Sequence, residues 1–460
     1  MTPEQVAEMK QVMVHGPLLL VFLVLVIVFI VYSTSKWKLH PFLALLFSAY
    51  GFAFLAGMPF KYIGTVIATG FGNLMTNIGL VIVFGTIIGT IIEKSGAALR
   101  MADSVLRIVG EKRSALAMSI IGYITSIPVF CDSGFVILSP LNKALAKRAG
   151  VPLATMAVAL STGLYATHTL VPPTPGPIAA AGNVGADLGL VIIVGLIVSI
   201  PAALVGLWWA NRVGKTIVIE GTEDQMSYEE LKNQYKKLPN VWLSFAPIVV
   251  PIVLIGLSSV VSFTKYTGFG SAFIAFLGTP VNALMVGVLL SFLLLPNLSE
   301  ETLSGWVGKG LLDSANILLI TGAGGSLGAV LSNSPIADYI KTLATGNLAG
   351  IGAIVLLFVI SALLKTAQGS STVALVTTSS MMAPMLAQLG ITTPLQLALA
   401  VMAIGAGAMT VSHVNDSYFW VVSQFSGMKV TDAYKAQTMG TLLEGLATII
   451  TTIIIFALFA

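Results

Sequence analysis

The sequence predicts an all-α integral membrane protein made of two inverted-topology repeats. Each repeat has about five spans, one re-entrant hairpin and one broken helix. Three observations carry this. First, 56% of the 460 residues are hydrophobic and only 9% charged, against roughly 25% charged in soluble domains. Second, apolar stretches of about 18 residues, enough to cross a ~30 Å hydrocarbon layer, recur along the whole chain. Third, polar, glycine- and proline-marked interruptions recur in both halves: SIPVFCDSGFVILSP (126–140) and YATHTLVPPTPGPIAAAG (165–182), then LLKTAQGSSTVALVTTSS (363–380) and VSHVNDSYFWVVSQFSG (411–427). A lipid-facing helix has no use for such residues, because unpaired polar groups are costly in hydrocarbon. Broken elements at matching places in two halves mark the solute site of many transporters.

In chain order, the first repeat (1–212) reads as spans 16–34, 41–58 and 76–94, an amphipathic piece 98–111, a hairpin 113–148, a broken span 152–183 and a span 187–211. A hydrophilic linker, 213–238, follows; it is expected on the cytoplasmic side, with a short helix from Ser227 to Lys237. The second repeat (239–460) reads as spans 241–262, 277–295 and 315–333, a hairpin 347–389, a broken span 393–427 and a span 438–460. The first apolar run, Leu18 to Tyr32, has no small-residue cleavage site and is read as a retained span.

Charge placement supports the hairpins. Segment 113–148 carries Lys112 and Arg113 at one end and Lys143, Lys147 and Arg148 at the other. A turn at Cys131–Gly134 keeps both clusters on one side. With both termini outside and both hairpins re-entrant, 18 of the 23 Lys and Arg residues fall inside; Lys10, Lys61, Lys265, Lys341 and Lys365 fall outside. That split obeys the positive-inside rule. It also accounts for the net charge of +4 without any nucleic-acid partner. The halves align weakly but in register, CDSGFVIL (131–138) over QGSSTVAL (368–375) and ATHTLVPP (166–173) over VSHVNDSY (411–418).

The polar breaks supply the candidate site. Asp132 is a carboxylate at a hairpin tip, which must pair, bind an ion or take a proton; capping of the following helix is its alternative role. Asp416 is open to the same two readings. His168 and His413 occupy corresponding places in the broken spans and suit proton relay or plain structural hydrogen bonding. Ser133, Gly134, Thr167, Thr169, Gln368, Gly369, Ser370, Ser371, Thr372 and Asn415 offer neutral donors and close backbone approach to a carboxylate-bearing, hydroxylated solute. Backbone repair within packed membrane helices is the competing use of such Ser and Thr residues. No metal is expected, since the histidines lack Cys/His ligand spacing, and no cofactor. The glycine string 322–331 lacks a preceding strand and the Lys-Ser/Thr of a phosphate loop. No nucleophile motif points to an enzyme. The single Cys131 excludes an intrachain disulfide.

The strings FCDSGFVILSPL, ATHTLVPPTPGP, AQGSSTVA and SHVNDSYFW resemble the gluconate permease family of bacterial sugar-acid:proton symporters, which also contains D-serine permeases. The resemblance implies the ion-transporter superfamily architecture and frequently a homodimer. It further implies inward proton symport of a small hydroxylated carboxylate across the bacterial inner membrane. By motif it assigns Asp132, Ser133, Gly134 and Gln368 to Thr372 to the hairpin tips. Thr167, His168, His413, Asn415 and Asp416 fall in the broken spans. Tyr418 departs from the smaller residue expected there. A sodium-coupled carboxylate carrier is the nearest rival; a channel and a membrane-embedded enzyme are more distant ones.

Overall fold

A computed structural model describes residues 3–110, 113–219, 238–264, 268, 270–336, 338–339, 349–414 and 416–460. Among them every regular element is helical. The first half runs α1 (Pro3–Val12), α2 (Leu18–Ser35), α3 (Pro41–Leu55), α4 (Phe60–Lys94), α5 (Ala97–Val109), α6 (Ser114–Thr125), α7 (Cys131–Ala149), α8 (Leu153–His168), α9 (Pro175–Val184) and α10 (Leu188–Val213). The second half runs α11 (Val241–Thr264), α12 (Ser271–Leu277), α13 (Pro280–Phe292), α14 (Val307–Ser332), α15 (Ile351–Gln368), α16 (Ser371–Met382), α17 (Pro394–Met409), α18 (Ser417–Ser426), α19 (Val430–Ala433) and α20 (Met439–Phe459). The helix expected at 227–237 lies outside the described residues.

Among the described residues six helices are long and apolar enough to cross a membrane, and the bent pair α12–α13, taken as one span, makes a seventh. On the outer helices apolar side chains form exposed stripes, such as Ile193, Ile197, Ile200 and Leu204 on α10. Spacing of three to four residues puts them on one face, as contact with lipid requires. By contrast α8 is buried from Ala154 to His168 and α17 from Ala398 to Met409. Helices apolar on all sides belong in the centre, and these two hold the breaks.

The packing is reciprocal. α6 packs on α8 as α15 packs on α17; α7 packs on α18 as α16 packs on α9; α4 and α14 pack on each other along much of their length. Glycine permits that last approach. A Cβ at Gly70 would lie 2.5 Å from the Gly325 carbonyl oxygen, and one at Gly325 2.6 Å from that of Gly70. Neither position has room for a methyl group.

Four boundaries differ from the sequence reading. α4 starts at Phe60 and not near 76, because Gly64, Gly70 and Gly72 continue the helix through its crossing with α14 instead of ending it. The span expected at 277–295 is bent by 70° between α12 and α13, where Pro280 starts a new helix and its missing N–H cannot continue the old one. α14 begins before 315, since its polar first turns line a cavity and not lipid. The first hairpin turns at 126–130, around Pro128, and Cys131–Gly134 form the opening turn of α7. The second turn lies at Gly369 and Ser370, between α15 and α16.

Candidate functional site

Four chain breaks meet at one cavity of about 470 Å³, inside the ~300–1,000 Å³ range of small-molecule sites. Each break has a local cause. In the first hairpin α6 stops at Thr125, and Ser126 Oγ donates to the Val129 carbonyl across the turn at 3.1 Å. α7 then starts behind Phe130 with no side-chain cap, so its first N–H groups are open where Cys131, Asp132 and Ser133 line the cavity. In the second hairpin Gly369 takes φ 82, the left-handed conformation that ends α15 at little steric cost for glycine. Ser370 caps α16 by accepting from Val373 N at 3.3 Å. Gly369, Ser370, Ser371, Thr372 and Val373 line the same cavity.

The first broken span stops at His168 and restarts at Pro175, leaving Pro172 and Pro173 in the irregular segment. Pro175 at the first helical position is pre-set for a helix start. Tyr165 and His168 face the cavity, with ring centroids 6.3 Å apart and nearly parallel planes. His168 Nδ1 is buried with no partner. In the second broken span α17 ends at Met409, and Asp416 caps α18 by accepting from Tyr418 N at 3.2 Å.

Asp416 also accepts from Lys365 Nζ at 2.6 Å and from Ser412 Oγ. The ammonium group, wholly buried, reaches on to the Gly369 carbonyl at 2.9 Å. This corrects the placement of Lys365 among the outside charges: it neutralises Asp416, the carboxylate of the second broken span. The signal was present in LLKTAQ, a lysine four residues before the turn at Gly369. Counting it as a topological charge concealed it.

One face of α14 forms the remaining wall, with Lys309, Asp313, Asn316 and Ile320 at helical spacing and Lys309 ion-paired to Asp313. Of the three aspartates lining the cavity, two therefore have a lysine. Asp132 has none within 4.0 Å among the described residues; its hydroxyl donor is Ser417 Oγ at 3.4 Å. The N-termini of α7, α16 and α18 converge here, and helix N-termini present N–H groups and partial positive charge to anions.

The two halves hold one another at this point. Tyr165 Oη and Ser371 Oγ lie 2.6 Å apart, and Tyr418 Oη donates to the Ser161 carbonyl at 2.9 Å. The two tyrosine rings stack at 5.1 Å. Tyr418, flagged as unexpectedly large, is fully buried as part of this wall.

Of the sequence-derived candidates, Asp132, Ser133, His168, Gly369, Ser370, Ser371, Thr372 and Asp416 line the cavity. Gly134, Thr167, Thr169, Gln368 and His413 do not. A Cβ at Gly134 would lie 2.7 Å from Leu164, so that glycine serves packing. Thr167 donates to the Tyr123 carbonyl at 2.8 Å, and His413 Nε2 pairs with the Thr366 carbonyl at 2.8 Å. The Gln368 amide is buried without partners. Asn415 lies outside the described residues. Sequence reasoning missed Tyr165, Lys365, Lys309, Asp313 and Asn316. No group of three or more His, Cys, Asp or Glu side chains suited to a metal ion occurs among the described residues.

Residues 18–459 match the family model described as GntP family permease. A gluconate permease of Zymomonas mobilis subsp. mobilis is 32% identical over 445 residues, covering 95% of this chain and 98% of that protein. The D-serine transporter DsdX of Escherichia coli (strain K12) is 30% identical over 438 residues, covering 94% and 97%. Among solved structures the YdaH transporter of Alcanivorax borkumensis superposes with a TM-score of 0.61 at 15% identity, over 86% of this chain and 88% of that one. At that identity the likeness concerns the fold.

Proposed function

This chain belongs to the GntP permease family, and on that premise we propose that it is a proton-coupled symporter of a small sugar acid such as gluconate, working by alternating access in a bacterial inner membrane. It is a multi-pass membrane transporter and not an enzyme, as the permeases of this family are. In this reading the two halves are inverted repeats, 1–212 and 239–460, joined by a cytoplasmic linker. Both termini lie outside, and two such chains form a homodimer embedded in lipid. The hairpins α6–α7 and α15–α16 dip to the bilayer midplane and return.

The convergence of three helix N-termini on one polar cavity carries the reading. A substrate carboxylate meets the open N–H groups of α7 and α16, while hydroxyl groups of the solute meet Ser371, Thr372, His168 and Asn316. Asp132 is the lining carboxylate without a lysine, so it takes the coupling proton and loses its repulsion for the anionic solute. Asp416 is held by Lys365, which leaves it a fixed charge and a cap. The cavity runs along α14 from Ile320 to Lys309, and in this reading the Lys309 end faces the cytoplasm.

Sodium coupling is disfavoured by one observation. A Na⁺ ion at the second hairpin tip would draw on the Gly369 carbonyl and Asp416, and the Lys365 ammonium is bound to both.

The test is uptake of labelled gluconate into proteoliposomes, with D-serine and other hydroxy acids as competitors. Accumulation should follow an inward pH gradient, persist when choline replaces sodium, and collapse in Asp132→Asn. Uptake indifferent to the pH gradient removes proton coupling; an Asp132→Asn variant that accumulates as wild type does removes that residue.

A further inference from the structure

Glu444 has no place in the site described so far, and its surroundings are unusual. It is fully buried in α20, and neither carboxyl oxygen has a hydrogen-bond partner. No cation lies within 4.0 Å of it among the described residues. A carboxylate left unpaired in such a place is strongly disfavoured, so the neutral acid is the form this structure accommodates.

Its position gives the acid something to act on. Thr441, Glu444 and Thr448 share one face of α20 by their spacing of three to four residues, and Thr438 closes the turn 434–438 that leads into it. Thr438 Oγ1 donates to the Ser412 carbonyl at 2.6 Å, and Ser412 N donates to Thr441 Oγ1 at 3.0 Å. One turn beyond Glu444, Thr448 Oγ1 contacts Met409 Sδ at 3.6 Å. Glu444 therefore sits opposite 409–412, where α17 breaks. Val411 there has φ 59, a left-handed conformation that a β-branched residue adopts only under constraint. The same break carries Ser412 and Asp416, hence the Lys365 pair and the start of α18.

Among the described residues the elements packed on α20 supply no competing ion for Glu444. α17 has no titratable side chain, and α10 has only Arg212, exposed at its end. α8 brings Tyr165 and His168, α15 brings Lys365, already bound to Asp416, and the turn 434–438 brings exposed Tyr434 and Lys435. The Tyr418 hydroxyl on α18 donates its hydrogen bond to the Ser161 carbonyl.

We infer that Glu444 is a second proton-binding site of the transport cycle, outside the solute cavity and acting through the break at Thr410–Val414. While the acid is neutral, the break stays packed as described. When the break rearranges and water reaches α20, the O–H bond breaks, the proton passes to water and a carboxylate remains. Reclosure requires that a proton be taken from water again. The inference rests on the symport reading above, and the test separates the two.

Purified wild type and Glu444→Gln are compared by infrared spectroscopy near neutral pH and by gluconate transport. A carboxylic-acid C=O band present in wild type should vanish in Glu444→Gln. The ratio of pH-gradient-driven accumulation to gluconate exchange should fall at least tenfold. Should that variant fail to reach the membrane, Glu444→Asp replaces it, and the band should move instead of vanishing. A band that neither vanishes nor moves overturns the inference, as does a wild-type ratio in Glu444→Gln; in the latter case symport itself stands. Wild type that ignores the pH gradient overturns both.

Discussion

Lys365→Met tests the central electrostatic feature most directly. The ammonium is wholly buried, 2.6 Å from Asp416 Oδ2 and 2.9 Å from the Gly369 carbonyl. Met nearly matches the side chain in length and in helix propensity, so α15 itself loses little. What remains is an Asp416 carboxylate with the Ser412 hydroxyl and the Tyr418 N–H but no cation. Removing one member of a buried ion pair costs about 3–5 kcal/mol, because the other charge is stranded. A chain of 460 residues, at about 2.1 cal/mol/K of unfolding entropy per residue, changes stability by roughly 1 kcal/mol per degree near its midpoint. The apparent Tm, followed by tryptophan fluorescence in detergent, should therefore fall by about 3–5 °C. Adding Asp416→Asn should restore most of that loss, since Asn also caps helices well and carries no charge. An unchanged Tm in Lys365→Met would refute the reasoning, and so would a double variant that falls by the sum of the two single losses.

Three further outcomes are expected. Gly70→Ala should destabilise by about 1–3 kcal/mol through overpacking against Gly325 and Ala329. Gly72→Ala, where nothing lies within 4 Å of the new methyl, should be neutral or slightly stabilising in the same thermal assay. Ser371→Ala strands the buried Tyr165 hydroxyl and should cost about 1–3 kcal/mol, whereas the pair Ser371→Ala with Tyr165→Phe should recover most of it. His168→Leu should weaken gluconate binding about tenfold, the loss of one hydrogen bond of roughly 1.4 kcal/mol, read by isothermal titration with the fold intact by circular dichroism.

Much of the fold was legible because its signals are local. Apolar runs placed α2, α3, α10, α11 and α20 within a few residues, and proline and glycine placed the breaks after His168 and Gln368. The errors share a physical origin. Gly70 fell outside the span read from 76, because its contact is with Gly325, 255 positions away in sequence, which no window can register. Lys309 and Asp313 fell outside the span read from 315, whereas the cavity beside them makes polar side chains tolerable in a spanning helix. Lys365 was assigned to bulk water when its counter-ion lies 51 residues further on. Thr167 and Thr169 were read as neutral donors for a solute, whereas their hydroxyl groups donate to backbone carbonyls.

The hydrogen bonds exchanged between Tyr165 and Ser371, Tyr418 and Ser161, and Ser417 and Asp132 have a consequence for how such a molecule can be divided. Neither half owns the cavity, because each lends the other the groups that complete it. A gene cut within the linker should yield two fragments that recognise no solute singly and regain recognition only when made together in the same membrane.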